Sequence, residues 1–427
     1  MEISIYFKFI LSFALILLAA RLGGELSERY LKQPPVLGEL MAGIIISPFA
    51  LGALIHDPII LNFAIIQGAF GCTDFCVMEV ISEIAVIVLL FVAGVETDVH
   101  AFMRQGVTGG LVAFGGVLLP FIFGFFITMW MAPQVGLVGW LFIGAALTAT
   151  SIGLTVRILM EMGKLQTRAG TTILVGAVID DIIGIVILSI VIGMSSVVKA
   201  GGDVSVLQII LNALKIAAIG FAVWFALLII GVRFNRFISK FILNTFKKSG
   251  TMPILAIIIG FIIAYLVTLV DLHPVVGAYV AGLMFAATEE KEEILEGTRP
   301  IMLFLAPFFF CYLGMQVNLR LLWAGALIAF FLIIAATVGK IIGCYLPARF
   351  AGKMSHLEGM IVGIGMVPRG EVGLIIAGAG LLAGAVSRDL FGAAVAVSVV
   401  TTLVTPSMLK PFFKRQSIKM SKADLVD

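Results

Sequence analysis

The sequence predicts an all-α polytopic membrane protein with about thirteen transmembrane helices, and three observations lead to this prediction. Of its 427 residues, 61% are hydrophobic and only 12% are charged, about half the charged share of a soluble domain. The apolar residues form separate runs of the length that crosses a bilayer as a helix. Lysine and arginine are concentrated in alternate loops, which is typical of the cytoplasmic loops of membrane proteins.

Taken in order, the apolar runs give the approximate limits of each span. They are 4–22, 34–53, 80–98, 107–131, 136–160, 170–194, 206–232, 252–270, 273–288, 299–317, 321–348, 357–385 and 389–412. Basic residues are dense after the first, fifth and seventh spans and in the tail. This alternation predicts a cell-membrane protein with its N-terminus outside and its C-terminus in the cytoplasm. We expect no cleavable signal peptide and no soluble domain after the last span.

Two adjacent carboxylates, Asp180 and Asp181, lie in the middle of the sixth span. A carboxylate at bilayer depth costs about 2.5–3.5 kcal/mol on insertion scales, so a pair of them predicts a functional site. Successive helical residues point about 100° apart, so the two cannot face the same partner. We expect one to pair with a buried cation and the other to face a water-filled cavity. The alternative is that both pair with basic residues and only join helices.

Two spans carry sequences that interrupt a helix. The fifth contains Thr, Ser and Gly in the segment 146–153, and the twelfth contains Pro368 among glycines in the segment 363–373. Proline and clustered glycine break the hydrogen-bond ladder, and Thr and Ser compete for its backbone groups. Such breaks in corresponding halves predict a transport site built from inverted repeats. Two glycine-rich packing seams are the alternative.

Three further charges fall within the later spans. Lys340 lies inside the eleventh span and needs a partner, for which a carboxylate of the sixth span is the candidate. Arg369 and Glu371 lie in the second break, where we expect them to compensate charge locally or to reach the carboxylates.

Four other residues have less definite roles. Glu39 is expected to brace the second span, and Lys215 of the seventh span has no evident partner. Cys72 and Cys76 flank Asp74 in a polar loop, where isolated thiols or loop packing are favoured over a disulfide or a metal site.

Together these residues resemble the bacterial and archaeal cation/proton antiporters, in particular the NapA-like branch of the second monovalent cation/proton antiporter family, related to NhaA. The matching segments are 33–40, 90–97, 148–153, 178–181, 274–278, Lys340 and 368–373. The resemblance implies an NhaA-like fold with inverted-topology repeats and two broken crossing helices. It also implies a homodimer, in which a mobile core domain moves against a rigid dimerisation domain.

The resemblance assigns the spans to domains. Residues 1–98 and 252–317 form the dimerisation domain, residues 107–194 and 321–413 form the core ion-transport domain, 206–232 is a linker helix, and 414–427 is a cytoplasmic tail.

The resemblance also assigns roles within the site. It implies that Asp181 is the principal ligand of the ion and the proton, and that Asp180 forms an ion pair with Lys340. Thr150 and Ser151 offer oxygen ligands, from side chains or backbone carbonyls of the first break. Retention of Asp180 with Lys340 separates this chain from Kef-like potassium systems.

The implied function is secondary active antiport of Na⁺ or Li⁺ against H⁺ by alternating access, electrogenic and serving pH homeostasis. The partners are the monovalent cation, the proton, the lipid bilayer and a second copy of the chain, with no cofactor, no nucleic acid and no enzymatic activity. K⁺/H⁺ exchange is the main alternative, since oxygen ligands alone do not separate the two cations. A sodium-coupled solute symporter is less favoured because the breaks offer few polar side chains for an organic substrate. Adjacent carboxylates diverge, which excludes an intramembrane aspartyl protease.

Overall fold

The structure is a computed structural model that describes residues 5–47, 50, 76–199, 251–270, 272–317 and 325–423, with scattered positions between 211 and 233. This part of the chain forms fifteen α-helices and contains no β-strand. Helices satisfy their own backbone hydrogen bonds, which is what an apolar run needs in a bilayer. The all-α architecture predicted from the sequence is therefore confirmed over the described residues.

The first eight helices carry the first break and the paired carboxylates. They are α1 (Ile5–Leu26), α2 (Pro35–Ile46), α3 (Cys76–Glu96), α4 (Val99–Arg104), α5 (Gly106–Met131), α6 (Gly136–Ala146), α7 (Ile152–Glu161) and α8 (Arg168–Lys199). A π-helical turn (Ser27–Leu31) follows α1, and a 3-10 turn (Pro133–Val135) precedes α6.

The remaining seven helices carry the buried lysine and the second break. They are α9 (Met252–Thr268), α10 (Pro274–Ala286), α11 (Lys291–Met315), α12 (Ala326–Phe350), α13 (His356–Gly365), α14 (Glu371–Leu382) and α15 (Arg388–Ala423).

Seven described helices are long and apolar enough to cross a membrane: α1, α3, α5, α8, α11, α12 and α15. Other predicted spans coincide with the shorter helices α2, α9 and α10 and with the two interrupted pairs α6–α7 and α13–α14. The predicted span 206–232 lies largely outside the described residues. The total of thirteen therefore stays a prediction.

The helices of two predicted spans extend beyond their apolar runs. The tenth begins at Lys291 and not at 299, because Glu292 and Glu293 occupy the first turn of α11. Carboxylates stabilise a helix N-terminus, although their hydropathy excludes them from an apolar run. The last span continues as helix to Ala423, past the predicted end at 412, so much of the predicted tail is helical.

Contacts divide the chain into two compact units. The first comprises Met1–Glu96, Gly231–Ala264 and Gly277–Arg320, and the second comprises Thr97–Ile230, Tyr265–Val276 and Leu321–Asp427. In the first unit, α1, α2, α3 and α11 pack together around a buried hydrophobic cluster that includes Phe308 and Tyr312. All the residues of the candidate site described below belong to the second unit.

Helix α5 packs against both α8 and α12 in the second unit. At Gly115 and Gly343 the backbones of α5 and α12 touch, so a Cβ on either glycine would overlap the carbonyl oxygen of the other. On the α8 side, a Cβ at Gly109 would overlap the side chain of Val175. Small residues thus let α5 hold the carboxylate-bearing and lysine-bearing helices close together.

We expect Gly115→Ala to lower the thermal stability of the purified protein, because its methyl group would force α5 away from α12. Overpacking of this kind costs about 1–3 kcal/mol. Gly110→Ala on the same helix is the matched control, since the nearest atom to its Cβ would be Ile179 Cδ1 at 3.8 Å. Melting curves in detergent measure both variants. An equal loss of stability in the control would contradict the close contact at Gly115.

Candidate functional site

The two interrupted helices of the second unit touch at their breaks. The break between α6 and α7 covers 147–151, and that between α13 and α14 covers 366–370. The backbone N–H of Ser151 donates to the Pro368 carbonyl at 2.9 Å, and the Thr150 hydroxyl donates to the Met366 carbonyl at 3.3 Å. The predicted helix breaks are therefore confirmed, and each supplies hydrogen-bond partners to the other.

Gly370 permits this close approach. A Cβ at this position would lie 2.6 Å from Ser151 Oγ, closer than non-bonded atoms come. Pro368, two residues before it, has no backbone N–H to continue the ladder of α13. At the second break, Pro368 thus helps to end α13, and Gly370 leaves room for Ser151 of the first break.

Both carboxylates of α8 are buried, Asp180 with 1% and Asp181 with 6% of its surface exposed. Lys340 of α12 is 0% exposed. Its ammonium donates to Asp180 Oδ1 at 3.0 Å and to the Thr148 carbonyl at 2.7 Å. The lysine thus pairs with the first aspartate and also lies at the carboxyl end of α6, where the helix dipole favours a positive charge.

Arg369 provides a positive charge at the second break, as Lys340 does at the first. Its guanidinium donates to the carbonyls of Val367 at 2.9 Å, of Met366 at 3.3 Å and of Ala336 at 3.2 Å. Within the described residues, all hydrogen bonds of this guanidinium go to backbone carbonyls. Its positive charge therefore lies at the carboxyl end of α13. Glu371 begins α14, and its side chain lies outside the described part of the chain.

The carbonyls of residues 366–369 in the second break all accept hydrogen bonds. Val367 accepts from Arg369, Pro368 accepts from Ser151, and Met366 accepts from both Thr150 and Arg369. The remaining carbonyl, that of Arg369 itself, accepts hydroxyl groups from α15. This backbone therefore has few lone pairs left for a ligand.

Two oxygen atoms near the first break, unlike these carbonyls, lack hydrogen-bond partners among the described residues. Ser151 Oγ and Asp180 Oδ2 are buried and have no hydrogen-bond partner within the described part of the chain. A buried polar atom left in this state costs about 1–3 kcal/mol. Oxygen is the ligand that hard monovalent cations prefer. No cluster of three or more His, Cys, Asp or Glu residues suited to a resident metal occurs in the described ranges.

Other residues singled out from the sequence lie elsewhere. Glu39 is buried in α2 of the first unit, and Lys215 is exposed. Cys72 and the side chain of Cys76 lie outside the described residues.

Three residues at the site were not predicted from the sequence. Ser398, Thr401 and Thr402 of α15 are buried, and their hydroxyl groups bind the backbone of Arg369. Their spacing of three and four residues places them on one face of a helix. That hydroxyl stripe within an apolar run was the only sequence signal for them.

Comparison with known proteins gives consistent matches along the chain. The model of the family "Sodium/hydrogen exchanger, transmembrane" matches residues 10–415. The high-affinity Na⁺/H⁺ antiporter NhaS3 of Synechocystis sp. is 35% identical over 95% of this chain and 90% of its own length. The Na⁺/H⁺-K⁺ antiporter GerN of Bacillus cereus is 34% identical over 97% of this chain and 100% of its own.

A solved structure supports the fold. The sodium proton antiporter MjNhaP1 from Methanocaldococcus jannaschii superposes with a TM-score of 0.62, covering 94% of this chain and 96% of that one. The two chains are 17% identical, so this match establishes a shared fold.

Proposed function

The chain belongs to the sodium/hydrogen exchanger family, and from this membership we propose that it exchanges Na⁺, or Li⁺, for H⁺ across the cell membrane by alternating access. It is a multi-pass membrane antiporter and not an enzyme, and the ions are its substrates. The observation that supports this function best is the buried pair Asp180–Asp181, in which Asp180 is joined through Lys340 to the first of two touching helix breaks.

In the proposed mechanism Asp181 is the shared binding site. Its carboxylate holds either a proton or a cation, so each turnover that carries Na⁺ one way returns with H⁺. Ser151 and Thr150 complete the oxygen shell from the first break. The support for Ser151 is its buried hydroxyl oxygen, which has no partner in the described chain.

We further propose that exchange is electrogenic. Asp180 Oδ1 is bound to Lys340, and its buried Oδ2 has no hydrogen-bond partner within the described part of the chain. The positive charge of a cation on the neighbouring Asp181 disfavours a second positive charge on Lys340, and the lysine then releases its proton. Two protons, one from Asp181 and one from Lys340, therefore leave for each sodium ion that binds. If Lys340 stayed protonated, exchange would be one for one.

The wider architecture in this proposal is a homodimer with thirteen spans per chain, NhaA-like inverted repeats, an external N-terminus and a cytoplasmic C-terminus. The first compact unit corresponds to the dimerisation domain and the second to the mobile core. The touching breaks in α6–α7 and α13–α14 support the inverted repeats, since the two lie in corresponding halves of the chain.

Potassium is the second candidate cation. The relative from Bacillus cereus is named a Na⁺/H⁺-K⁺ antiporter, and oxygen ligands alone do not separate the two ions. Symport of an organic solute has less support, because Thr150 and Arg369 at the breaks already donate to backbone carbonyls.

Purified protein in vesicles that are acidic inside tests the function. Internal pH is followed while NaCl, LiCl or KCl is added outside. We expect Na⁺ and Li⁺ to drive protons out and raise the internal pH. A response to K⁺ alone would assign potassium exchange, and no response to any cation would refute antiport.

A further inference from the structure

Helix α15 binds both backbone polar groups of one residue in the second break. The hydroxyls of Thr402 and Ser398 donate to the Arg369 carbonyl at 2.7 and 3.0 Å. The Thr401 hydroxyl oxygen accepts from the Arg369 N–H at 3.3 Å. All three side chains are buried on one face of α15. We call these three residues the α15 hydroxyl face.

The break creates the need for these contacts. Arg369 lies between Pro368 and Gly370, outside the hydrogen-bond ladders of α13 and α14. A buried backbone group without a partner is costly, so non-helical backbone at membrane depth requires donors and acceptors from neighbouring helices. Two hydroxyl donors also occupy both lone pairs of the Arg369 carbonyl, which removes it from the possible ligands of a cation.

Two hydrogen bonds connect Arg369 and its neighbour Pro368 to the ion site. The Arg369 guanidinium binds the Ala336 carbonyl, one helical turn before Lys340 on α12. The carbonyl of its neighbour Pro368 binds the N–H of Ser151. A shift of Arg369 would therefore move a proposed cation ligand and the turn that carries the buried lysine.

We propose that the α15 hydroxyl face is a set of positioning residues that fix the second break and thereby set the affinity of the antiporter for Na⁺. The inference rests on the proposed function, since it concerns the geometry of the same site. The three residues do not contact the ion. They act through Arg369 on Ser151 and Lys340.

Thr402 offers a matched pair of substitutions. Thr402→Val keeps the shape of the side chain and removes the hydroxyl, whereas Thr402→Ser keeps the hydroxyl. Thr405→Val is the control, because the Thr405 hydroxyl is also buried in α15 but donates to the Thr401 carbonyl of its own helix at 2.6 Å. A double variant, Ser398→Ala with Thr402→Val, removes both donors to the Arg369 carbonyl.

The measurement is the apparent KM for Na⁺ and the maximal rate of proton efflux from vesicles, at equal amounts of folded protein. We expect Thr402→Val to raise KM about 3- to 10-fold with a smaller change in maximal rate. The double variant should raise KM further. Thr402→Ser and Thr405→Val should stay within about twofold of the wild type. Should Thr402→Val not accumulate in the membrane, Ser398→Ala replaces it with the same expectation.

Two results would overturn this inference while leaving the antiporter function intact. One is an unchanged KM in the double variant when the wild type transports normally. The other is a rise in KM for Thr405→Val equal to that for Thr402→Val, which would mean that any buried hydroxyl on α15 matters. A wild type without cation-driven proton flux would instead refute the proposed function, and this inference with it.

Discussion

Replacement of Asp181 by asparagine is expected to lower Na⁺-driven proton exchange by at least about a hundredfold, equivalent to about 2.7 kcal/mol in the transport barrier. The amide has the shape of the carboxylate, so the packing of α8 is preserved. However, it carries no charge to hold a cation and no proton to release. Because exchange requires cation binding and proton release at one carboxylate, the two half-reactions are lost together.

Proton efflux from vesicles, with each cation in turn, measures this effect. Asp389→Asn is the matched control: the chemical change is the same, but Asp389 is exposed in the first turn of α15. The control should transport at the wild-type rate. Full activity in Asp181→Asn would place the binding carboxylate elsewhere.

Replacement of Lys340 by glutamine is expected to have the largest effect on stability. Asp180 and Lys340 are both buried, and they are joined at 3.0 Å. Removing one partner of a buried pair leaves an uncompensated charge, which costs about 3–5 kcal/mol. We therefore expect a clear fall in the melting temperature of Lys340→Gln in detergent.

The double variant Lys340→Gln with Asp180→Asn tests whether the unpaired charge of Asp180 causes the loss of stability. Two neutral amides can hydrogen-bond in the same place, so most of the lost stability should return. A voltage-sensitive dye in vesicles then reports the stoichiometry. Wild-type exchange should generate a membrane potential, and any exchange that the double variant retains should not. If the double variant is no more stable than Lys340→Gln, the ion pair is not the source of the loss.

The sequence was most informative where the physical cost of a residue is high. Adjacent carboxylates and a lysine in apolar runs demand partners, so Asp180, Asp181 and Lys340 could be singled out without a structure. Thr and Ser at the first break, and proline with clustered glycine at the second, interrupt a helix locally, which is why both breaks were found at the right segments.

The sequence was less informative where the hydrogen-bond partner of a residue is distant along the chain, or where burying the residue costs little free energy. Arg369 could compensate charge locally or reach the carboxylates, and only the structure identifies its partners as carbonyls of the break and of α12. Hydroxyls such as Thr402 are common in apolar helices, and its partner lies 33 residues away in the chain. The charged first turn of α11 was missed because hydropathy excludes residues that a helix N-terminus favours.

The central claim is that Na⁺ and H⁺ compete for Asp181, and the apparent KM for Na⁺ as a function of pH tests it most directly. On the acidic limb, we expect KM to rise about tenfold for each unit fall in pH with one competing proton, and more steeply with two. The maximal rate at saturating Na⁺ should change little, because enough sodium displaces the proton. A KM that does not vary with pH, with a maximal rate that falls instead, would contradict competition at a shared carboxylate.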